Sequence, residues 1–136
     1  MTQEEKQLLI KDLCSRLSYG VKVAKSNIIY PITGINIALG YVELAVSERI
    51  SIEEARPYLR PMSSMTEEEF TYIKQRWVFT EKCRDENDIM DVLNRGCVEI
   101  CDAYSFVEWL NAHHFDYRGL ISMGLALPAP EGMYNL

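Results

Sequence analysis

The residue types best suited to chemistry occur together near the C-terminal end of the chain. That segment contains both histidines of the sequence and reads His113, His114, Phe115, Asp116, Tyr117, Arg118. A histidine and an aspartate beside an arginine can serve acid–base catalysis or bind a phosphate group. Adjacent histidines at a helix end point in different directions, however, so they rarely share a metal ion.

The alternative for this segment is a structural role. An apolar stripe ends where the histidines begin, and Phe115 and Leu120 then offer new apolar anchors, so the chain must turn back between them. Such a turn needs partners for its backbone groups, and imidazole, carboxylate and guanidinium groups supply them. We favour this role, assign no catalytic residue, and expect at least two of His113, His114, Asp116 and Arg118 to be hydrogen-bonded within the fold.

A second candidate site is the alternation of Arg56, Tyr58 and Arg60 between two prolines. On an extended segment, alternate residues lie on one side, and two guanidinium groups with an aromatic ring suit an anionic or peptide ligand. The structural alternative is that Tyr58 packs against the fold while the arginines contact the acidic run Glu67–Glu69. Both alternatives remain open at the level of sequence.

The cysteines do not form a recognisable metal motif. They are Cys14, Cys83, Cys97 and Cys101, and no two of them have the two-residue separation of a zinc knuckle. Cys97 and Cys101 would share a helix face and could bind a metal with a distant histidine. A reduced cysteine more commonly behaves as a small buried apolar residue. We therefore predict reduced cysteines, no metal and no cofactor.

Other features disfavour whole classes of function. The sequence has no G-x-G-x-x-G, P-loop, G-x-S-x-G or H-E-x-x-H pattern, which weakens the case for an enzyme. Its 20 acidic and 14 basic residues give a net charge of −6, and the basic residues are scattered along the chain. Nucleic-acid binding relies on clustered positive charge, so it is not expected here.

The N-terminal element that supports these segments is a helix over about residues 3–18. Thr2 and Glu5 have the spacing of a capping box, and Gly20 suits the C-terminal end. An apolar stripe recurs at helical spacing; it consists of Leu9, Leu13 and Leu17 with Ile10 and Cys14 beside them. The pattern predicts that this stripe is buried.

From Val21 to about residue 50 the pattern changes to alternation, which is typical of strands. Turns are predicted at Ser26-Asn27, at Thr33-Gly34 and at Gly40, and one sheet face is expected to carry Val42, Leu44 and Val46. Several short strands joined by tight turns must curl to bury one face. The expected result is a small, strongly curved antiparallel sheet, for which an SH3-like half-barrel is one arrangement.

The second half of the chain is predicted to be helical. A capping box from Thr66 to Glu69 begins a helix over about residues 66–78 that should bury Phe70, Ile73 and Trp77. A short helix is predicted from about Ile89 to Gly96, and the stretch Cys97–Asp102 fits either a strand or a helix. A further helix is predicted to begin at Ser105 and to bury Phe106, Trp109 and Leu110. The tail from Pro128 is predicted to be extended or frayed.

Together these patterns predict an α+β fold in one compact domain, with the N-terminal helix and sheet in residues 1–61 and a helical region packed on them in residues 62–136. No apolar run approaches the roughly 18–20 residues that a membrane span requires. The N-terminus is acidic and polar, unlike a signal peptide. We therefore expect no membrane association and a cytoplasmic location.

Two stretches also carry a resemblance. The stretch from Arg56 to Glu69, R-P-Y-L-R-P-M-S-S-M-T-E-E-E, and the stretch from Trp109 to Gly119 with G-L-A-L at Gly124–Leu127, resemble a group of short uncharacterised proteins encoded in prophage-like and mobile regions of gut bacteria. The match excludes about Thr80–Ala103. The group has no assigned activity or catalytic residues, so the resemblance implies only the context of a phage or mobile-element accessory protein.

Three hypotheses of function follow. The first is a non-enzymatic accessory protein that binds another protein. The second is a nucleotide- or small-molecule-binding protein that uses Arg56, Arg60, Tyr117 and Arg118. The third is a small hydrolase or nuclease centred on His113, His114 and Asp116. We favour the first, and the sequence leaves homo-oligomer formation open.

Overall fold

The structure is a computed structural model that describes residues 1–77 and 100–134, with the side chains described from residue 104 in the second range. The helix predicted from about Ile89 to Gly96 lies outside the described residues, as do Cys83 and Cys97.

The first helix, α1, spans Gln3–Arg16, and the Thr2 side chain accepts a hydrogen bond from the Glu5 N–H at its start. A 3₁₀ turn over Leu17–Tyr19 follows and ends at Gly20 with a φ of 72°. The predicted helix is therefore confirmed.

The buried face of α1 differs from the prediction. Besides Leu9 and Leu13 it contains two charged residues, Asp12 and Arg16, while Cys14 is exposed. Residues 9, 12, 13 and 16 follow the i, i+3, i+4, i+7 pattern of a helix face, and position 14 lies off that face. The expectation of a buried Cys14 is wrong because an ion pair, rather than the thiol, occupies the interior side.

The strands β1 (Lys22–Lys25), β2 (Ile28–Asn36), β3 (Tyr41–Leu44) and β4 (Glu48–Ser51) form an antiparallel sheet in that order. Their inner face contributes Val23, Ile32, Val42 and Leu44 to one core that also contains Leu9 and Leu13 of α1. The α+β class and the curled antiparallel sheet predicted from the sequence are thus confirmed.

Two local predictions in the sheet are wrong. The chain does not turn at Thr33-Gly34; β2 continues through it, with a register shift between Ile32 and Gly34 against β3. Val46 does not share the buried face of Val42, because it lies in the turn before β4, where it is 79% exposed. Val46 and Ser47 have φ values of 59° and 62°, as in the turns that join twisted hairpin strands.

Helix α2 spans Glu67–Arg76 and begins with the predicted capping box, in which Thr66 and Glu69 exchange both hydrogen bonds. Ile73 and Trp77 are buried, and Phe70 is half-buried against the same core. The prediction for this helix is therefore confirmed.

Helix α3 covers Ile100–Ala112. The predicted start at Ser105 is wrong, because Ser105 lies inside the helix and accepts a hydrogen bond from the Trp77 indole at 2.8 Å. The spacing of a serine and a glutamate resembles a capping box, but the residues before Ser105 are compatible with a helix and continue it. Phe106 and Leu110 are buried as predicted, in a second core with Trp77.

The tail after α3 is fixed to the rest of the fold. Strand β5 (Tyr58–Leu59) pairs in parallel with β6 (Leu127–Pro128), and the Ala129 N–H donates to the Leu59 carbonyl at 2.7 Å. The tail is thus extended over Leu127–Pro128 and turns at residues 131–134, where the Met133 N–H donates to the Pro130 carbonyl at 3.1 Å. Within the described ranges, no helix is long and apolar enough to cross a membrane.

Candidate functional site

Helix α3 ends in a Schellman motif at the two histidines. The His114 N–H donates to the Asn111 carbonyl at 3.1 Å, and the Phe115 N–H donates to the Leu110 carbonyl at 3.0 Å. His114 occupies the left-handed position of this motif, with a φ of 62°, where glycine is usual. Only 2% of its surface is exposed, so the imidazole lies inside the protein.

Asp116 has a structural role in the turn that follows. One of its carboxylate oxygens accepts a hydrogen bond from the Leu120 N–H at 2.8 Å, and the other accepts one from the Ile121 N–H at 2.9 Å. The carboxylate is 7% exposed and does not contact either histidine within hydrogen-bond distance. The histidine–aspartate pair that a hydrolase would need is therefore not formed by residues 113–118.

Arg118 belongs to a buried ion cluster. Its guanidinium lies 2.7 Å from one oxygen of Asp12, and Arg16 lies 2.9 Å from the other oxygen of the same carboxylate. Arg16 also donates to the Phe115 carbonyl at 2.6 Å. The cluster joins α1 to the segment after α3, and with Asp116 it confirms that at least two of the four predicted polar groups are hydrogen-bonded within the fold.

Tyr117 lies beside this cluster. Its hydroxyl donates to Asn111 at 2.9 Å, and the guanidinium of Arg118 lies 4.7 Å from the centre of its ring. Burial raises the pKa of Tyr117, although the neighbouring Arg118 and Arg16 charges oppose that rise. The Tyr117 hydroxyl therefore keeps its proton at neutral pH and uses it in the hydrogen bond to Asn111.

The segment with Arg56, Tyr58 and Arg60 alternates as predicted: Pro57 and Leu59 are buried, and the three candidate residues are half-buried. Arg56 donates to the carbonyls of Glu53 and Ala55, both at 2.9 Å. Arg60 forms a two-pronged ion pair with Glu69 at 2.7 and 2.8 Å. Arg60 therefore makes the contact with the acidic run that the structural alternative predicted, whereas Arg56 bonds to backbone carbonyls instead.

Two of the predicted candidates, Arg60 and His113, lie together in a groove. The groove has a volume of about 620 Å³ and separates the start of α2 from the C-terminal segment Ala129–Tyr134, which we call the strap. Its lining consists of Arg60, Ser64, Thr66, Glu69, His113, Ala129, Pro130, Glu131, Gly132 and Tyr134. We call it the strap–helix groove.

Sequence reasoning missed the strap side of this groove, because the tail has the composition of a loop and no periodic pattern. It also did not assign Thr66 and Glu69 to a site, although their capping box was recognised. The remaining candidates do not line this groove: Arg56, Tyr58, His114, Asp116, Tyr117 and Arg118.

His113 is held in one orientation in the groove. Its ring stacks on Trp109 with 3.9 Å between the ring centres, and its Nδ1 lies 3.0 Å from the Trp109 carbonyl oxygen. A carbonyl oxygen can only accept, so Nδ1 carries a hydrogen. The stacking and this hydrogen bond together fix the orientation of the His113 ring at the groove.

The groove has an excess of negative charge. Burial opposes ionisation of Glu69, but hydrogen bonds from Arg60 and from the Thr66 backbone outweigh it and lower the pKa of Glu69, so Arg60 faces a carboxylate that is already ionised. Those two charges balance each other. Glu131 is exposed and has no ion-pair partner among the described residues. A donor-rich cation is the ligand that this arrangement favours.

The strap is attached by its tyrosine. The Tyr134 hydroxyl donates to the Tyr58 carbonyl at 2.7 Å and accepts from the Lys22 N–H at 3.0 Å, while the ring stacks on His114 with 3.7 Å between ring centres. Burial raises the pKa of Tyr134 to about 12, so the hydroxyl keeps its proton at neutral pH. The Lys22 ammonium group also donates to the Met133 carbonyl at 3.1 Å.

A second groove, of about 710 Å³, lies on the other side of the strap. We call it the strap–hairpin groove; its lining is Lys22, Ile29, Pro31, Pro130, Glu131, Gly132 and Met133. The middle of the strap thus has open space on both sides.

Among the described side chains, those of residues 1–77 and 104–134, no three of His, Cys, Asp or Glu are placed to hold a metal ion. Comparison of the chain with protein-family models, curated proteins and solved structures gives no significant match.

Proposed function

We propose that this chain is a non-enzymatic protein that binds another protein, and that the strap–helix groove receives a lysine or arginine side chain of that partner. The observation that carries the proposal is that the oriented ring of His113 and the unpaired carboxylate of Glu131 line the same groove. A carboxylate accepts hydrogen bonds from an ammonium or guanidinium group, and complementary charge steers such partners together. The net charge of −6 supports a basic partner.

The other two hypotheses receive less support. The three arginines considered for a nucleotide are held by internal partners: Arg56 by two carbonyls, Arg60 by Glu69 and Arg118 by Asp12. These contacts use some of the N–H donors and orient the guanidinium groups toward internal partners. A hydrolase would require a base beside a carboxylate, and Asp116 is bonded to two backbone amides.

The proposed setting is the cytoplasm, where the protein would act as an accessory component of a phage or mobile element. This part of the proposal is supported by the resemblance of residues 56–69 and 109–127 to the prophage-associated group.

Site-specific photo-crosslinking tests the proposal. A photoreactive amino acid replaces the exposed Ser64 in the groove, and a control protein carries it at the exposed Glu54, outside the groove. The expected result is one partner, crosslinked only from position 64 through a peptide that contains lysine or arginine. Glu131→Gln should weaken its binding about two- to fivefold, as loss of an exposed ion pair does, and Glu54→Gln should leave it unchanged.

Two results would contradict the proposal. One is equal crosslinking from positions 64 and 54, which would indicate non-specific contact. The other is a partner whose binding is unchanged by Glu131→Gln and by His113→Ala, which would show that the groove does not recognise a positively charged side chain of the partner.

A further inference from the structure

The hydroxyl of Tyr134 fills a gap between two strand edges. The Ile32 N–H donates to the Val21 carbonyl at 2.9 Å, so the next pair along β1 and β2, Lys22 and Pro31, is a non-hydrogen-bonded pair. The Lys22 N–H therefore points away from β2, toward the outer edge of β1. It meets the Tyr134 oxygen there at 3.0 Å.

The edge of β5 faces the same hydroxyl. The Leu127 N–H of β6 donates to the Pro57 carbonyl, and the Ala129 N–H, just after β6, donates to the Leu59 carbonyl. The Tyr58 carbonyl lies between them in sequence and points to the opposite side, where it accepts from the Tyr134 hydroxyl at 2.7 Å. One phenolic oxygen thus completes a hydrogen-bonded chain from β1 to β5.

The ring of Tyr134 is also specifically contacted. It stacks on the buried His114, and the Lys22 ammonium group lies 5.4 Å from its centre, within range of a cation–π interaction. A stacking surface, a cation and a matched donor and acceptor for the hydroxyl together recognise a phenol. We call this set of groups, from Lys22, Tyr58 and His114, the Tyr134 pocket.

We propose that the Tyr134 pocket is a binding site for tyrosine, and that a tyrosine-containing segment of a partner protein can fill it in place of the strap. The two backbone groups that bind the hydroxyl are held without the strap, because Lys22 lies in the β1–β2 pairing and Tyr58 in the β5–β6 pairing. The Lys22 ammonium group, in contrast, also donates to Met133 of the strap. When Tyr134 leaves, an N–H and a C=O lose their partners, which is unfavourable in a partly buried site. An incoming phenol restores both hydrogen bonds.

The surroundings of the strap provide room for the exchange. Pro130, Glu131 and Gly132 line both the strap–helix groove and the strap–hairpin groove, so a competing segment can approach from either side. This inference does not rest on the proposed function, since neither His113 nor Glu131 belongs to the Tyr134 pocket.

The first test removes the tyrosine and offers a phenol. In Tyr134→Ala, p-cresol should raise the melting temperature by on the order of 3 °C at a concentration several times its Kd, and toluene should not, because it lacks the hydroxyl. Tyr104→Ala is the matched control, since Tyr104 is 77% exposed and lines neither the strap–helix groove nor the strap–hairpin groove. Equal shifts with p-cresol and toluene, or no shift in folded Tyr134→Ala, would overturn the proposal.

The second test measures binding from a separate molecule. A synthetic peptide with the sequence of residues 129–136, A-P-E-G-M-Y-N-L, is titrated into Tyr134→Ala, and a peptide with phenylalanine in place of the tyrosine is the comparison. We expect the phenylalanine peptide to bind at least about tenfold more weakly, and wild-type protein to bind the tyrosine peptide more weakly than Tyr134→Ala because its own strap competes.

Should Tyr134→Ala fail to fold, Tyr134→Phe replaces it, because the ring still packs while the strap is held less tightly. Tyr134→Phe should then bind the tyrosine peptide more tightly than wild type does. Equal binding of the tyrosine and phenylalanine peptides would contradict recognition of a phenol. The proposal would also be overturned if the wild-type protein is a dimer and the Tyr134 variants are monomers. That result would show that the pocket binds the strap of a second copy of this chain.

Discussion

Asp12 on the first helix and Arg118, 106 residues later, form an ion pair with 2.7 Å between nitrogen and oxygen. Asp12 is fully buried and is shared with Arg16 of its own helix. The ion pair holds the segment after α3 against α1. It therefore helps to position the chain that leads from this segment into the strap.

Breaking this pair should be strongly destabilising. Asp12→Ala leaves the buried Arg16 without its carboxylate, and we expect the free energy of unfolding to fall by about 3–5 kcal/mol. Urea unfolding followed by circular dichroism measures the change. The control is Glu53→Ala, which removes a surface pair with Lys6 and should cost less than about 1 kcal/mol; equal losses in the two variants would contradict the assignment.

Asp116→Ala should also reduce stability, by about 1–3 kcal/mol, because the N–H groups of Leu120 and Ile121 lose their acceptor. Asp116→Asn retains one carbonyl oxygen and should lose less. Thermal unfolding of both variants checks the order. A variant that melts like the parent but loses partner binding would instead place Asp116 in a binding site.

Stability should depend on pH through His114. Burial and the nearby Arg16 charge lower the pKa of His114 from 6.5 to about 4, so the unfolded state binds a proton between those values and the folded state does not. The free energy of unfolding should therefore fall by about 3 kcal/mol as the pH drops from 6.5 to 4. Above pH 6.5 the imidazole is mainly neutral in both states, and His114 no longer makes stability depend on pH.

Chemical denaturation across that pH range tests the assignment. His114→Asn removes the titrating group and keeps a residue that tolerates a left-handed backbone. Its stability should change less between pH 6.5 and 4 than that of the wild type. An unchanged slope in His114→Asn would show that another group causes the dependence.

Val46 carries backbone strain that a substitution should relieve. A β-branched residue with a φ of 59° is unfavourable, and Val46 is 79% exposed, so it contributes little burial in return. We expect Val46→Asn to raise the free energy of unfolding by about 1 kcal/mol. Val46→Ala should gain less, because alanine lacks the short polar side chain with which asparagine hydrogen-bonds locally in the left-handed region. Loss of stability in Val46→Asn would mean that the valine side chain has a packing role.

Much of the fold is determined by local patterns that can be read from the sequence. The Thr66–Glu69 capping box, the left-handed Gly20 and the Ser26-Asn27 turn all depend on groups a few residues apart, and the structure contains each of them. Alternation from Val21 onward is similarly local, and it was sufficient to predict a curled antiparallel sheet. The alternation of Arg56 and Arg60 on one side of their segment was likewise predictable.

The candidate site required the tertiary structure, because its contacts join distant parts of the chain. Tyr134 meets Tyr58 across 76 residues, and Lys22 across 112, so no local pattern indicates either contact. Asp12 and Arg16 have the spacing of an ordinary surface pair, and only the packing of Arg118 against them shows that the pair is buried. Local spacing determined which elements form; the burial of charge and the position of the strap were decided by which elements pack together.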